Sequence, residues 1–282
     1  HERLVGSEMC IRDSLLSFVF FNGITDAHNR LLLSAHNNIV SSMSIFSKLF
    51  CSAKIPFDFS GMTDCHSHIL PGVDDGVEKL EDSLSILGEY EREGVKKVWL
   101  TPHVMEDMPN SVSGLRERFE LLRSNYSGGI ELKLASENMI DNLFAERLDA
   151  DDFLPIGDDG RKLLVETSYF SAPMNLRDVM ERIMKAGYYP LLAHPERYNY
   201  MTSIKEYTRL KDMGVMFQLN AMSLSGYYGP MIKDKAERML NLGYYNHIGS
   251  DLHRIGHLEV MRSMKMKPDI AEKVAELCVC GC

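Results

Sequence analysis

Asp64-Cys65-His66-Ser67-His68 is the stretch around which the rest of the sequence can be organised, and Asp75 follows His68 by seven residues. Two histidines at positions i and i+2 of a strand point to the same side, because side chains alternate between the two faces. The end of such a strand can therefore present two imidazoles to one metal ion. Asp75 lies in a loop with two glycines, where its carboxylate adds a hard oxygen ligand. The stretch predicts part of a metal site.

The composition is that of an ordinary globular protein, with 282 residues, 45% hydrophobic residues and a net charge of −9. A nucleic-acid surface requires a basic face, so this charge argues against a nucleic-acid partner. No apolar run approaches the roughly 20 residues of a membrane span, which argues against insertion into a membrane. The six cysteines do not form the spacing of a disulfide framework. Their scatter fits a reducing, cytoplasmic location.

The two ends of the chain are predicted to lie outside the folded domain. Residues 9–14, Met-Cys-Ile-Arg-Asp-Ser, resemble a translated sequencing adapter. Residues 1–42 are therefore expected to be a non-native or disordered extension, with a genuine extension as the alternative, and the domain to span residues 43–277. The Cys-x-Cys-x-Cys pattern within residues 278–282 is tighter than the Cys-x2-Cys spacing of zinc sites. We interpret it as a truncated or frameshifted end.

Between these ends, short apolar runs alternate with amphipathic segments. The first helix shows the pattern, because Leu80, Leu84 and Leu87 fall on one face and Gly94 follows as a stop signal. The strands are predicted at residues 62–66, 95–101, 130–135, 162–166, 190–194, 215–220 and 246–250, and the helices at residues 79–93, 112–126, 175–186, 204–213, 231–242 and 269–277. Strands that alternate with helices predict an α/β fold with parallel strands. Closure into a barrel is favoured, and an open sheet remains the alternative.

Metal-binding residue types recur where the predicted strands end. The candidate ligands are His66, His68, Asp75, His103, Glu137, Glu166, His194, Asp251 and His253. Only the sixth strand, which ends at Asn220, lacks a typical ligand. Each residue alone could be an interior histidine or a helix cap, but barrels place their sites at the carboxyl ends of the strands. Nine groups suggest two or three bridged ions, and oxygen and imidazole ligands without thiolate favour manganese, iron or zinc.

Clustered cations suit the hydrolysis of a phosphate ester, because they lower the pKa of a bound water and neutralise phosphoryl oxygens. Arg197, three residues after His194, could bind two phosphate oxygens with its planar guanidinium, although a surface arginine is equally compatible with the spacing. Arg254 is a weaker candidate. The loop at residues 224–230 carries two tyrosines that could line a substrate ring, with a plain glycine turn as the alternative.

Several of these motifs resemble those of the PHP (polymerase and histidinol phosphatase) superfamily. They are Asp64-x-His66-x-His68, Thr101-Pro102-His103, Ala193-His194-Pro195-Glu196-Arg197-Tyr198 and Ser250-Asp251-Leu252-His253. The run at residues 68–76 and the His-Pro-Glu-Arg-Tyr run are similar to those of the manganese-dependent protein-tyrosine phosphatases of bacterial capsule and exopolysaccharide loci. The resemblance covers residues 43–277.

This resemblance implies a distorted (β/α)7 TIM-like barrel with three divalent metal ions, Mn2+ foremost, at the carboxyl ends of the strands. It implies that the nine candidates are the metal ligands, that His194 and Asp251 are also catalytic, and that Arg197 binds phosphate. The implied substrate is the phosphotyrosine tail of a bacterial tyrosine autokinase that regulates polysaccharide synthesis. In agreement, the sequence has no Cys-x5-Arg loop of the thiol-dependent phosphatases. The sequence departs from the family at Asn138, where close relatives usually carry tyrosine.

Two other functions remain compatible with the same residues. A small-molecule phosphatase, such as one acting on histidinol phosphate, would share the metal chemistry but would not need an exposed metal rim. A metal-binding module without turnover would be expected to lack one or more ligands. A polymerase-associated role is disfavoured, because the sequence has no basic stretch.

Overall fold

Parallel strands joined by helices make up the described part of the chain, residues 53–279 and residue 282, in a computed structural model. The predicted extension at residues 1–42 and the predicted start at Met43 lie outside the described residues.

The strands of the described residues form three hydrogen-bonded groups. The strands are β1 Ile55–Pro56, β2 Thr63–Ser67, β3 Lys97–Leu100, β4 His103–Val104, β5 Glu131–Leu134, β6 Glu137–Met139, β7 Lys162–Glu166, β8 Tyr189–Ala193, β9 Met216–Asn220, β10 His247–Gly249 and β11 Lys265–Met266. Six parallel strands follow the order β10-β9-β8-β7-β6-β4, and three more follow the order β2-β3-β5. Strands β1 and β11 form a separate antiparallel pair.

Helices follow most of the parallel strands, as the alternating pattern predicts. The α-helices are α1 Leu80–Glu93, α2 Val112–Asn125, α3 Phe144–Asp149, α4 Leu176–Lys185, α5 Ile204–Asp212, α6 Pro230–Asn241, α7 Ile255–Ser263 and α8 Pro268–Val279, with 3-10 turns at Pro195–Arg197 and Ala221–Ser225. Helices α3 and α7 were not predicted from the sequence. Within residues 53–279 and 282, no helix is both long and apolar enough to cross a membrane.

Two of the predicted strands are each split into two pieces. The segment predicted at residues 95–101 continues after Pro102 as β4, and the segment predicted at residues 130–135 continues as β6. Pro102 has no N–H group to donate to a neighbouring strand, so the segment predicted at residues 95–101 breaks there. The Pro102 carbonyl instead accepts a hydrogen bond from the Glu137 amide at 3.1 Å. At its break, each of the two segments passes from the group β2-β3-β5 to the group of six strands.

The last parallel strand returns to the first one. The amide of Asp251, just after β10, donates to the His66 carbonyl at 2.8 Å, and the His68 amide donates to the Leu252 carbonyl at 2.9 Å. The parallel strands thus form a curled α/β sheet in which the two ends of the predicted strand series meet. The predicted α/β class with parallel strands is confirmed.

Both faces of the sheet are apolar. Leu164 pairs with Leu191, which pairs with Met216, and these residues share one face with a small cluster that contains Cys65 and Trp99. Their chain neighbours on the opposite face belong to the larger core under the helices. Parallel strands covered on both sides are expected to be continuously apolar, which is why these strands carry few polar residues.

The cysteines depart from the sequence-based expectation. Cys65 is buried in the small cluster, and it forms a disulfide with Cys282, 217 residues away in the sequence. Cys278 is buried and free. The spacing of the cysteines gave no indication of this pair, because the proximity of Cys65 and Cys282 depends on the fold.

Replacing Gly249 in β10 by alanine should destabilise the protein. A Cβ at this position would overlap the Cβ and the amide nitrogen of His66. We expect a loss of about 1–3 kcal/mol in the free energy of unfolding, as is typical of overpacking, measured by urea denaturation. Gly88→Ala is the matched control, because nothing lies within 4 Å of the place that its methyl group would take inside α1. That variant should gain about 0.5–1 kcal/mol. Equal stability of Gly249→Ala and wild type would contradict the close approach of β10 to His66.

Candidate metal centre

One buried carboxylate lies among four imidazoles at the edge where β2 and β8 end and where β4 and β6 begin. Oε2 of Glu137 lies 3.0 Å from Nε2 of His66, 3.3 Å from Nε2 of His68 and 3.1 Å from Nδ1 of His103. Oε1 of Glu137 lies 3.0 Å from Nε2 of His194. All five residues are buried. Glu137 is therefore placed where it would bridge cations if the surrounding histidines bound them.

The other candidates complete the cluster around this centre. Oε1 of Glu166 lies 3.0 Å from Nδ1 of His103, and Oδ1 of Asp251 lies 3.4 Å from Nε2 of His68. Oδ1 of Asp75 lies 3.6 Å from Nε2 of His103 and 3.5 Å from Nε2 of His253. The structure thus brings together all nine residues that the sequence singled out.

Three overlapping sets of these side chains have ligand atoms close enough to share a cation. The sets are His66, His68 and Glu137; His103, Glu137 and Glu166; and His68, Asp75, His103 and His253. Glu137, His68 and His103 each belong to two sets. The overlap is the arrangement expected of neighbouring ions with shared ligands.

Unsatisfied polar atoms test whether the residues fit a metal. Oε2 of Glu137 and Oε1 of Glu166 are buried and accept no hydrogen bond from the residues that the structure describes. Nitrogens lie within about 3 Å of both oxygens, but not in hydrogen-bonding geometry. A buried acceptor without a partner is costly. Oxygen and nitrogen donors directed at a common cation remove this cost, so the donor set fits divalent metal ions.

The charges of the cluster depend strongly on one another. Burial opposes protonation of His66, but the nearby carboxylates of Glu137 and Asp251 outweigh it and raise the pKa of His66 to about 9. Burial also opposes ionisation of Glu137, yet the imidazoles of His66 and His103 hold its pKa well below the usual range. The hydrogen bond from His253 lowers the pKa of Asp75 to about 2. The carboxylates of Glu137 and Asp75 thus stay ionised, which is the form that binds a cation.

Two of the candidate ligands have a left-handed backbone. His194 has φ of 33° and Asp251 has φ of 52°, each just after its strand. Such values are uncommon for residues with a Cβ and are found where the surrounding structure enforces them. The His194 amide lies 3.2 Å from Oε1 of Gln218, and the Asp251 amide donates to β2. These contacts hold both side chains towards the cluster.

Several histidines are oriented by polar residues that were not selected from the sequence. Oδ2 of Asp74 lies 2.8 Å from Nδ1 of His68 and accepts a hydrogen bond from the His103 amide at 3.1 Å. Oε1 of Gln218 lies 2.9 Å from Nδ1 of His66. A partner on one ring nitrogen fixes the tautomer and directs the other nitrogen to the metal. A polar residue in the middle of the apolar strand β9 was the one signal for Gln218.

The aspartate of the opening motif connects the first and last parallel strands. The Asp64 carboxylate accepts hydrogen bonds from the Ser250 amide at 2.8 Å, from the Ser250 hydroxyl at 2.6 Å and from the Tyr90 hydroxyl at 3.0 Å. Burial raises the pKa of Asp64, and these bonds oppose the rise. Asp64 therefore supports the strand ends that carry His66 and Asp251 and takes no place in the cluster itself.

Arg197 lies beside the cluster between two aromatic rings. Its guanidinium is 4.5 Å from the ring centre of Tyr169 and 4.2 Å from that of Tyr228, and its Nη1 donates to Oδ2 of Asp251 at 2.5 Å. The side chain is 17% exposed. Tyr228 belongs to the loop in which the sequence suggested an aromatic wall, whereas Tyr169 was missed. Arg254 donates to the Tyr227 hydroxyl at 3.0 Å and lies further out, on the exposed surface.

Two asparagines have different relations to the cluster. Nδ2 of Asn220 donates to Oδ2 of Asp251 at 2.8 Å. The sixth predicted strand therefore contributes to the cluster indirectly, because its last residue binds the candidate ligand Asp251. Asn138 points away from the cluster, because its amide nitrogen donates to the carbonyls of Ser136 and Leu164. The Asn138 side chain therefore takes no direct part in the surroundings of Glu137.

Parallel strands that carry histidines and carboxylates at their carboxyl ends define a candidate metal-dependent enzyme of the α/β class. The chain belongs to the family described as capsular polysaccharide synthesis, CpsB/CapC, whose model matches residues 62–275. The resemblance stated from the motifs is confirmed.

Relatives with known names support this assignment. The tyrosine-protein phosphatase CpsB of Streptococcus agalactiae is 27% identical over 212 residues, covering 69% of this chain and 84% of the relative. The tyrosine-protein phosphatase YwqE of Bacillus subtilis is 25% identical over 205 residues, covering 69% and 78%. A solved structure from work on YwqE and on CpsB of Streptococcus pneumoniae, described as unique metal-dependent tyrosine phosphatases, aligns with a TM-score of 0.66 at 24% identity, covering 76% of this chain and 86% of its own. This likeness shows the fold.

Replacing Asp74 by asparagine should weaken metal binding. The variant keeps the shape of the side chain but loses the negative charge that faces His68. Removal of such a partner typically costs about 10–100-fold in metal affinity, which we would measure by competition with a chelating dye. Asp107→Asn is the control, because Asp107 is exposed and belongs to none of the ligand sets. Unchanged affinity in Asp74→Asn would show that Asp74 does not orient His68.

Proposed function

We propose that this protein is a metal-dependent protein-tyrosine phosphatase. The observation that carries the proposal is the bridging position of Glu137 among four histidines, with the guanidinium of Arg197 beside it. The cluster supplies ligands for cations, and the arginine supplies donors for a phosphoryl group. Membership of the CpsB/CapC family and the names of the relatives support the same activity.

We infer that the nine clustered residues hold three divalent ions, with Mn2+ as the main candidate and iron or zinc as alternatives. Hard carboxylate oxygens with imidazole and without thiolate are compatible with these metals. The three overlapping ligand sets support the number. The contact between the strand ends after β10 and β2 supports closure into a distorted (β/α)7 barrel of the PHP type.

The bound cations would activate a water and neutralise phosphoryl oxygens. Arg197 would bind two phosphoryl oxygens, because one of its N–H groups faces Asp251 and a guanidinium has five. The rings of Tyr169 and Tyr228 pack against the guanidinium of Arg197 and restrict its rotamers before substrate binds. Asp251 contributes twice, as a cluster carboxylate and as the partner that fixes Arg197. His194 and Asp251 are thus the proposed catalytic side chains together with Arg197.

An exposed rim supports a peptide substrate over a small monoester. The side chain of Asp75 is 61% exposed and that of His253 is 19% exposed, at the outer edge of an otherwise buried cluster. A cleft of about 360 Å³ opens beside His253 and is lined by Arg254 and Glu78 among others. A phosphotyrosine on a flexible tail can reach such a rim. We therefore propose the phosphotyrosine tail of a bacterial tyrosine autokinase of a capsule or exopolysaccharide system as substrate, and the cytoplasm as location.

The first experiment compares two substrates with the full chain. Phosphate release is measured with and without Mn2+ on a phosphotyrosyl peptide and on histidinol phosphate, side by side. Manganese-dependent release from the peptide alone is expected. Release only from histidinol phosphate would favour a small-molecule phosphatase, and no release from a folded, metal-loaded sample would favour a binding module.

The variants His194→Ala and Asp251→Asn should fold but lose activity. Each changes a side chain that makes several contacts in the cluster, while the apolar cores on both faces of the sheet stay intact. Circular dichroism would check folding, and phosphate release at saturating Mn2+ would report activity. Wild-type turnover in either variant would contradict the proposed site.

Arg197→Lys should reduce activity strongly despite the conserved charge. Lysine cannot bind two oxygens as a planar fork and cannot stack between the rings of Tyr169 and Tyr228 in the same way. We expect kcat/KM to fall at least 10-fold, equivalent to about 1.4 kcal/mol of transition-state binding. The control is Arg116→Lys, on the exposed side of α2, which should behave as wild type. Equal kcat/KM values for the two variants would argue against phosphate binding by Arg197.

A further inference from the structure

A second group of candidate metal ligands lies on the face of the sheet that carries the small apolar cluster, separate from the cluster at the strand ends. The ligand atoms of Cys65, His247 and Cys282 all lie within 4.8 Å of one another. The exposed fractions of the three residues are 0%, 7% and 6%. Neither the proposed activity nor the family assignment gives these residues a role.

The surroundings of this group are apolar. Cys65 and Cys282 belong to the small cluster that also contains Trp99, Leu164 and Leu191. His247 lies on the neighbouring strand β10, where it pairs with Gln218 of β9. The nearest alternative described thiol, Cys278, lies on α8 and is not part of the group. Two sulfurs and an imidazole thus meet in a place that excludes water.

The chemistry of the donors differs from that of the strand-end cluster. Thiolates are soft ligands that select zinc or copper(I), whereas carboxylates with imidazoles also suit harder ions such as manganese. Two cysteines and one histidine are a known zinc ligand set with one open position. The two groups of this chain would therefore take different metals from the same solution.

We propose that Cys65, His247 and Cys282 form a zinc site in the reduced protein, and that the Cys65–Cys282 disulfide is the oxidised, metal-free form of this site. A dithiol reductant supplies two electrons and two protons to the disulfide, which becomes two thiols while the reductant becomes its own disulfide. Zinc binding then displaces the two thiol protons to solvent. The three side chains hold the ion, and the apolar cluster around them shields it.

The site is connected to the catalytic cluster through Gln218 and through the backbone of β2. Gln218 pairs with His247 in the ladder, and its Oε1 lies 2.9 Å from Nδ1 of His66. Cys65 directly precedes His66 in the chain. An ion held by Cys65 and His247 would therefore join β2, the strand that carries His66, to β10.

Cobalt(II) is the probe that separates the two sites. Thiolate ligands give Co2+ an intense charge-transfer absorption in the near ultraviolet, which oxygen and nitrogen ligands do not give. The full chain, reduced and kept anaerobic, is titrated with Co2+ and then with Zn2+. We expect a thiolate band whose final intensity corresponds to one Co2+ bound by thiolates per protein chain. The band should disappear when Zn2+ displaces this ion. Oxidised protein should not develop the band.

Variants assign the band to the proposed residues. Cys65→Ser and Cys282→Ser should each lose most of the band, and Cys278→Ser, the matched control, should keep it. Absence of the band in reduced wild type, or its persistence in Cys65→Ser, would overturn the proposal. Phosphate release plays no part in this measurement, so its outcome is independent of the proposed phosphatase activity.

Thiol alkylation keeps the proposal testable if Cys65→Ser does not fold. Reduced wild type is treated with iodoacetamide with and without Zn2+, and the labelled cysteines are identified by peptide mass spectrometry. Zinc should slow the labelling of Cys65 and Cys282 at least 10-fold and leave Cys278 unchanged. Equal labelling of Cys65 and Cys282 with and without zinc would overturn the proposal.

Discussion

The close packing of four imidazoles around the buried carboxylate of Glu137 is the constraint on which the rest of the structure depends. An isolated buried carboxylate would cost several kcal/mol of desolvation, so it requires compensating positive charge close by. Glu137 and the histidines come from four different strand ends, and the parallel arrangement is what brings these ends to one edge. The order of strands, the break at Pro102 and the return of the last strand to the first all follow the same requirement, that these side chains meet.

A layer of hydrogen-bonded amide and carboxylate side chains around the cluster keeps it in position. Gln218 and Asp74 hold imidazoles, Asn220 holds Asp251, and Asp64 joins the strand ends beneath them. Each of these groups is fixed by more than one partner. A network of this kind is rigid because the loss of any member leaves another buried polar group without a partner. The geometry offered to a cation is thus set before the cation binds.

Much of this arrangement is predictable from the sequence, since strand periodicity locates the strand ends and parallel strands share one edge. That reasoning selected all nine clustered residues. It could not decide that Asp74 faces inwards while Asp75 stays exposed, because the backbone of the loop determines which of two adjacent carboxylates turns towards His68. It missed Tyr169, which reaches Arg197 from a loop, and the pairing of Cys65 with Cys282, which no local pattern indicates. The short helix α7 was missed because it follows directly on the last strand-end motif.

The left-handed backbone at His194 and Asp251 limits how this centre could change over evolution or in the laboratory. At these positions a replacement must satisfy both the ligand chemistry and a conformation that β-branched residues avoid. Glycine would meet the second demand and asparagine would come closest to meeting both. His103 and Glu166 lie in ordinary extended strands, where backbone conformation imposes no such restriction. A library that randomises the cluster to alter metal preference should therefore find most of its metal-binding members through changes at residues 103 and 166.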